Sequence, residues 1–150
     1  MKKTMITIFT VGFIGIANFS TTTFAACKYM GSVYMTVVNN LSSGEALMNP
    51  RTVAQDHGAS PIFPPNPIPS GQKALVTVCA DSMDAKASAV VSFGKASTAG
   101  QPYVYLWLSS YQKAGNFPYG CKISYDNSNW ATVCAISEAG NTVFCTCTVK

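Results

Sequence analysis

Apolar and polar positions alternate with a period of two through most of the second half of the chain. In "YVYLWLSS" (103–110), Val104, Leu106 and Leu108 fall on one side and Tyr103, Tyr105 and Trp107 on the other. A half-buried strand needs only one apolar face, so the second row of rings with polar tips calls for a partner. Other β-branched or alternating runs are "SVYMTVVNN" (32–40), "QKALVTVCA" (72–80), "ASAVVSF" (87–93), "CKISY" (121–125), "WATVCAIS" (130–137) and "TVFCTCTV" (142–149), with "EALMN" (45–49) as a short addition. Between the second and third strands lies "ASPIFPPNPIPSG" (59–71), with five prolines. Proline fixes φ and removes a ladder donor, so this stretch reads as an extended surface connection. No helix-period run of useful length occurs. About eight short strands separated by turn residues predict an all-β fold, an antiparallel β-sandwich.

The first residues follow a different pattern. Lys2 and Lys3 precede an apolar run from Met5 to Ala17, then a polar stretch and "TFA". That order is expected of a secretory signal peptide spanning 1–25, cleaved after Ala25, of a bacterial type. Residues 26–150 then form one domain, secreted or periplasmic. "FAAC" also matches a lipoprotein signal with Cys27 lipidated, but Phe24 stands where leucine is usual, and lipidation would leave five cysteines.

The six cysteines are Cys27, Cys79, Cys121, Cys134, Cys145 and Cys147. An even number in an exported chain predicts three disulfides. In the last hairpin, a turn at Ala139-Gly140 pairs residues that sum to 279 and sets Cys134 opposite Cys145. A turn at Gly140-Asn141 gives 281 and sets it opposite Cys147. Opposed positions lie close enough to bridge. The other cysteine of the C-x-C pair must reach elsewhere; the expected remainder is Cys79 with Cys121 and Cys27 with Cys147. A bridge joining the two ends would add about 4 kcal/mol through the unfolded chain.

Composition narrows the function. Charged residues make up 11% and hydrophobic ones 48%. The charges are scattered, with no basic stripe, which excludes a nucleic-acid partner on electrostatic grounds. The lone histidine, His57, follows Asp56, but a sequence-adjacent pair lacks the third group that catalysis requires, and reads as a loop histidine. Asp81 and Asp84 sit in "CADSMDAK" and read as turn formers; no metal and no cofactor is expected. The chain therefore reads as a binding protein and not an enzyme. The ligand-binding residues expected are Tyr103, Tyr105, Trp107, Tyr111, Asn116, Phe117 and Tyr119. Tyrosine and tryptophan suit a surface that is apolar on one side and wet on the other. The strand rings have a plainer explanation, burial beneath a loop. Tyr111, Phe117 and Tyr119, in "SSYQKAGNFPYG", are better placed for exposure.

Several motifs occur in a fixed order: "VVNN" (37–40), "HG" (57–58), "PPNPIPSG" (64–71), an apolar strand ending at Ala80, and "LWLSSYQKAGN" (106–116). This order resembles the aegerolysin-like group of small secreted β-sandwich proteins. The resemblance implies recognition of membrane lipids, with Trp107, Tyr111, Gly115 and Asn116 at the family's strand-and-loop positions. It also implies a toxin-like role as a cytolysin component beside a larger pore-forming partner protein. The chain departs from that group in "MDAKAS", in "LSSY" after the tryptophan, and in its six cysteines. The residues alone leave a second reading, a periplasmic or cell-surface module for glycan or protein, such as an adhesin or inhibitor.

Overall fold

The computed structural model describes residues 27–82, 86–99, 101–111, 119–125 and 132–150. Among them nine strands occur: β1 (Val33–Asn39), β2 (Leu47–His57), β3 (Lys73–Val78), β4 (Ser88–Lys95), β5 (Pro102–Ser109), β6 (Gly120–Ser124), β7 (Thr132–Val133), β8 (Ala135–Ala139) and β9 (Thr142–Val149). They form two sheets, one in the order β3-β1-β9-β8 and the other β2-β4-β5-β6-β7. Every pairing is antiparallel except β1 with β9, which is parallel. The expected sandwich is therefore present, closed by a parallel pair of the first and last strands.

The alternation along the chain explains the two inner faces. Val33, Met35 and Val37 of β1 and Val143, Cys145, Cys147 and Val149 of β9 are buried. They meet Ala89, Val91 and Phe93 of β4 and Val104, Leu106 and Leu108 of β5 in one core cluster. "VVNN" ends β1 with a buried polar group that is fully used. Asn39 donates through Nδ2 to the Ile68 carbonyl (2.9 Å) and the Glu45 carbonyl (3.2 Å), and its Oδ1 accepts from the Leu41 N–H (3.1 Å). Such bonds remove the desolvation cost of an interior amide and tie the end of β1 to the proline-rich connection. That connection is pinned again by bridges Ile62↔Thr77 and Leu47↔Ile68. Gly58 has φ +93°, and a Cβ there would lie 2.6 Å from the Cys79 carbonyl oxygen, so "HG" marks a close backbone approach that only glycine allows.

Three expectations are corrected. β2 runs to His57 where only 45–49 was expected; it crosses Pro50, which an edge strand tolerates, and shifts register three times against β4. His57 thus ends a strand instead of sitting in a loop. The run 130–137 is not one strand: the chain leaves the five-stranded sheet after β7, turns at Cys134 and joins the other sheet as β8.

The third correction is the disulfide pairing. The bridges are Cys27–Cys79, Cys121–Cys145 and Cys134–Cys147. The last hairpin takes the 281 register, with Ile136 opposite Cys145 and Gly140 in the turn. Cys134 therefore bonds Cys147, and Cys145, on the same inner face, reaches across the core to Cys121 of β6. Cys27 joins Cys79 and not Cys147, because the parallel β1–β9 pairing carries Cys147 down the strand while Cys27 stays at the start of β1. Three disulfides indicate an oxidising extracellular or periplasmic setting. With its sulfur held by Cys79, Cys27 has none left for a lipid thioether.

Candidate functional site

Among the described residues, the rings between 103 and 119 do not form one face. Between β4 and β5 the register slips after Phe93, pairing Phe93 with Val104 but Gly94 with Pro102, so Tyr103 is the extra residue of a bulge. A bulge re-aims its side chain. Tyr103 packs against the core cluster at the end of the sandwich, contrary to its expected place beside Tyr105 and Trp107. There its hydroxyl donates to the Lys150 carbonyl (3.0 Å), its ring meets Tyr125 edge-on at 5.3 Å, and Lys95 Nζ lies 4.2 Å from the ring centre. Lys150 N–H in turn donates to the Tyr125 hydroxyl (2.9 Å), so this cluster clasps the last residue of the chain.

Trp107 is only 7% exposed, and Tyr105 is half-buried between Ser92 and Ser124. Tyr111 lies at the opposite end from Tyr103, edge-on to His57 at 5.2 Å, with Lys86 Nζ 5.7 Å from its centre. Its hydroxyl donates to Asp56. Burial, reinforced by the hydrogen bond and charge of Asp56, pushes this phenol up to about 12. Asp56 and His57 themselves are 4.0 Å apart. Tyr119 is exposed; burial of its hydroxyl and then a hydrogen bond to Glu138 raise it to about 12. Asp81 is exposed, while Asp84, Gly115, Asn116 and Phe117 lie outside the described residues. Tyr103, Tyr111 and Tyr119 thus occupy three separate places.

An open concavity lies on the other sheet, on its outer face. Tyr34 and Phe144 both hold outward positions of their strands, and the parallel register sets them directly opposite. Their rings stack with centres 5.3 Å apart and planes 12° from parallel. One step along, Thr36 faces Thr146 on one side and Leu75 on the other. β8 contributes only Ala135, Ser137 and Ala139 to this face, opposite Thr146, Phe144 and Thr142. Small side chains beside a stacked ring pair leave a trough of about 640 Å³, in the range of roughly 300–1,000 Å³ typical of small-ligand sites.

The trough's far wall is the segment Cys27–Met30, folded back over β1. Three bonds hold it: the Cys27 N–H donates to the Tyr34 hydroxyl (3.0 Å), the Ser32 hydroxyl donates to the Tyr29 carbonyl (2.9 Å), and Cys27 is bridged to Cys79 immediately after β3. Exposed apolar side chains crowd the rim, with Met30 at 65%, Phe144 at 41% and Ile136 at 38%. Among the described residues, Lys28 is the one charged side chain lining it. Such a site binds by apolar burial and ring contact, with hydroxyls of Thr36, Thr142, Thr146 and Ser137 as hydrogen-bonding groups. Comparison with protein families, with curated proteins and with solved structures finds no match to this chain.

Proposed function

We propose that this is an exported, non-enzymatic binding protein for membrane lipids, with the trough over Tyr34 and Phe144 as its ligand site. The observation that carries the reading is that trough: an open apolar concavity floored by a stacked ring pair on a sheet already buried on its other face. A sheet face that exposes Phe144 to water, with Met30 beside it, gains by covering them with aliphatic chain. Export belongs to the same reading: a leader removed after Ala25 delivers the chain to the periplasm or medium, where the three bridges persist. The aegerolysin-like resemblance adds the membrane as the setting and a larger pore-forming protein as a class of partner.

The test is uptake by the oxidised chain 26–150 of lipid from a broad vesicle panel, followed by sedimentation. Binding is expected, and Tyr34→Ala or Phe144→Ala should weaken it about tenfold, the loss expected for one buried ring. Absence of binding across the panel overturns the reading. The glycan alternative draws on a specific feature, the hydroxyls around the ring pair. Binding on a glycan array without lipid uptake would favour it.

A further inference from the structure

We propose that the trough takes a single-tailed amphiphile with an anionic head, carboxylate or phosphate, and that Lys28 is the head-group partner. This rests on the lipid reading above and gives the ligand a charge and a direction.

The electrostatics of the trough are one-sided. Lys28 is exposed on the N-terminal wall, where its Nζ lies 5.1 Å from the Tyr29 ring centre, and among the described residues it meets no carboxylate. The nearest acid on the neighbouring strand, Glu138 of β8, has the core-side parity of Ile136 and receives the Tyr119 hydroxyl, so its charge is drawn away from the trough. The acid–histidine contact found among the described residues, Asp56 with His57, belongs to the other sheet. An unopposed cation at the edge of an apolar floor favours an anion there.

The floor sets the shape of the tail. It consists of the outward side chains of β1 and β9, whose axes lie about 5 Å apart, the width of one extended chain. From Thr142 to Thr146 it runs four residues, about 13 Å along the strand. The 27–30 segment walls one side, and the small side chains of β8 leave room on the other. A single alkyl chain would lie along Tyr34–Phe144 towards Leu75 and Thr146, its head at Lys28.

The experiment compares four twelve-carbon probes by titration calorimetry, each below its micelle threshold, on the oxidised, leader-free protein: dodecanoate, dodecyl phosphate, dodecyl maltoside and dodecyltrimethylammonium. At least one anion is expected to bind about three- to fivefold more tightly than the maltoside, the effect of one exposed ion pair, and half-molar salt should shrink that margin. Whichever anion leads identifies the head as carboxylate or phosphate. Lys28→Ala should erase the margin, bringing the anions to the level of the maltoside, and Lys28→Arg should keep it. Equal binding of all four probes, or tighter binding of the cation, overturns the anionic head and Lys28's role while the lipid trough stands. Failure of all four overturns both.

Discussion

At the scale of single residues, Trp107 and Tyr111 separate two roles that the sequence placed together. The alternation along β5 identified Trp107's side of the strand correctly, but parity does not report what lies above a face. At 7% exposure the indole is a packing residue. Trp107→Ala should therefore destabilise the fold by about 3–5 kcal/mol, read as a shift in the denaturant midpoint. A shift below about 1 kcal/mol would show that the ring is dispensable to packing. Tyr111 is different: its hydroxyl is tied to Asp56, and its folded pKa of about 12 stands above the ordinary phenol value of 10.0. A raised folded pKa stabilises the fold fully below the unfolded pKa, and that contribution is lost as pH rises from about 10 to about 12. In a phenolate absorbance titration, Tyr111 should ionise among the last tyrosines. Asp56→Asn should bring it down towards 10, leaving the part due to burial. An unchanged titration curve in that variant would remove Asp56 as a cause.

At the scale of elements, the sequence was most legible where one strand could be read by itself. Most strand positions, the inner-face residues and the sandwich class follow from period-two runs with turn residues between them, while β2 and the break at Cys134 do not. What it could not carry was pairing between distant segments. The bulge that turns Tyr103 inward depends on β4 opposite β5, and the parallel β1–β9 contact depends on both ends of the chain. A trace of that contact is visible: "VYMT" (33–36) and "VFCT" (143–146) share the order apolar, ring, apolar, threonine. Set side by side in parallel, they generate the stacked pair and the threonine row of the trough. The cysteine register was also open to reading, since 281 was one of two choices, yet sequence spacing had no means to select it. With the bridges known, the order of their contributions follows from the loops they close. Separations of 52, 24 and 13 residues correspond to about 4, 3.5 and 3 kcal/mol for Cys27–Cys79, Cys121–Cys145 and Cys134–Cys147. Paired Cys→Ala variants compared by equilibrium unfolding should show that order, unless native contacts around Cys121–Cys145, which crosses the core, add to its loop term. A larger loss for that bridge than for Cys27–Cys79 would show that core packing outweighs loop closure.

For the whole molecule, the bridges divide the work between holding the sandwich and shaping the site. Cys121–Cys145 and Cys134–Cys147 both fasten β9 to the segment β6–Cys134, joining the two sheets from within. Cys27–Cys79 lies outside that arrangement and anchors the wall of the trough to the end of β3. Its loss should therefore have two separable consequences. The double variant Cys27→Ala/Cys79→Ala loses about 4 kcal/mol through the unfolded chain, yet keeps both inter-sheet bridges and the core, so it should still unfold cooperatively. Without the bridge, residues 27–30 retain the Cys27–Tyr34 and Ser32–Tyr29 hydrogen bonds, worth about 1 kcal/mol each, which is too little to hold four residues against backbone entropy of about 1–2 kcal/mol each. The wall should then leave the ring pair, exposing Tyr34 and removing Lys28 from its place. Lipid uptake, measured below the unfolding midpoint, should fall by at least as much as in Phe144→Ala, and the preference for an anionic chain should disappear with it. Undiminished uptake by a folded double variant would mean that the wall contributes nothing and that the ring pair alone makes the site.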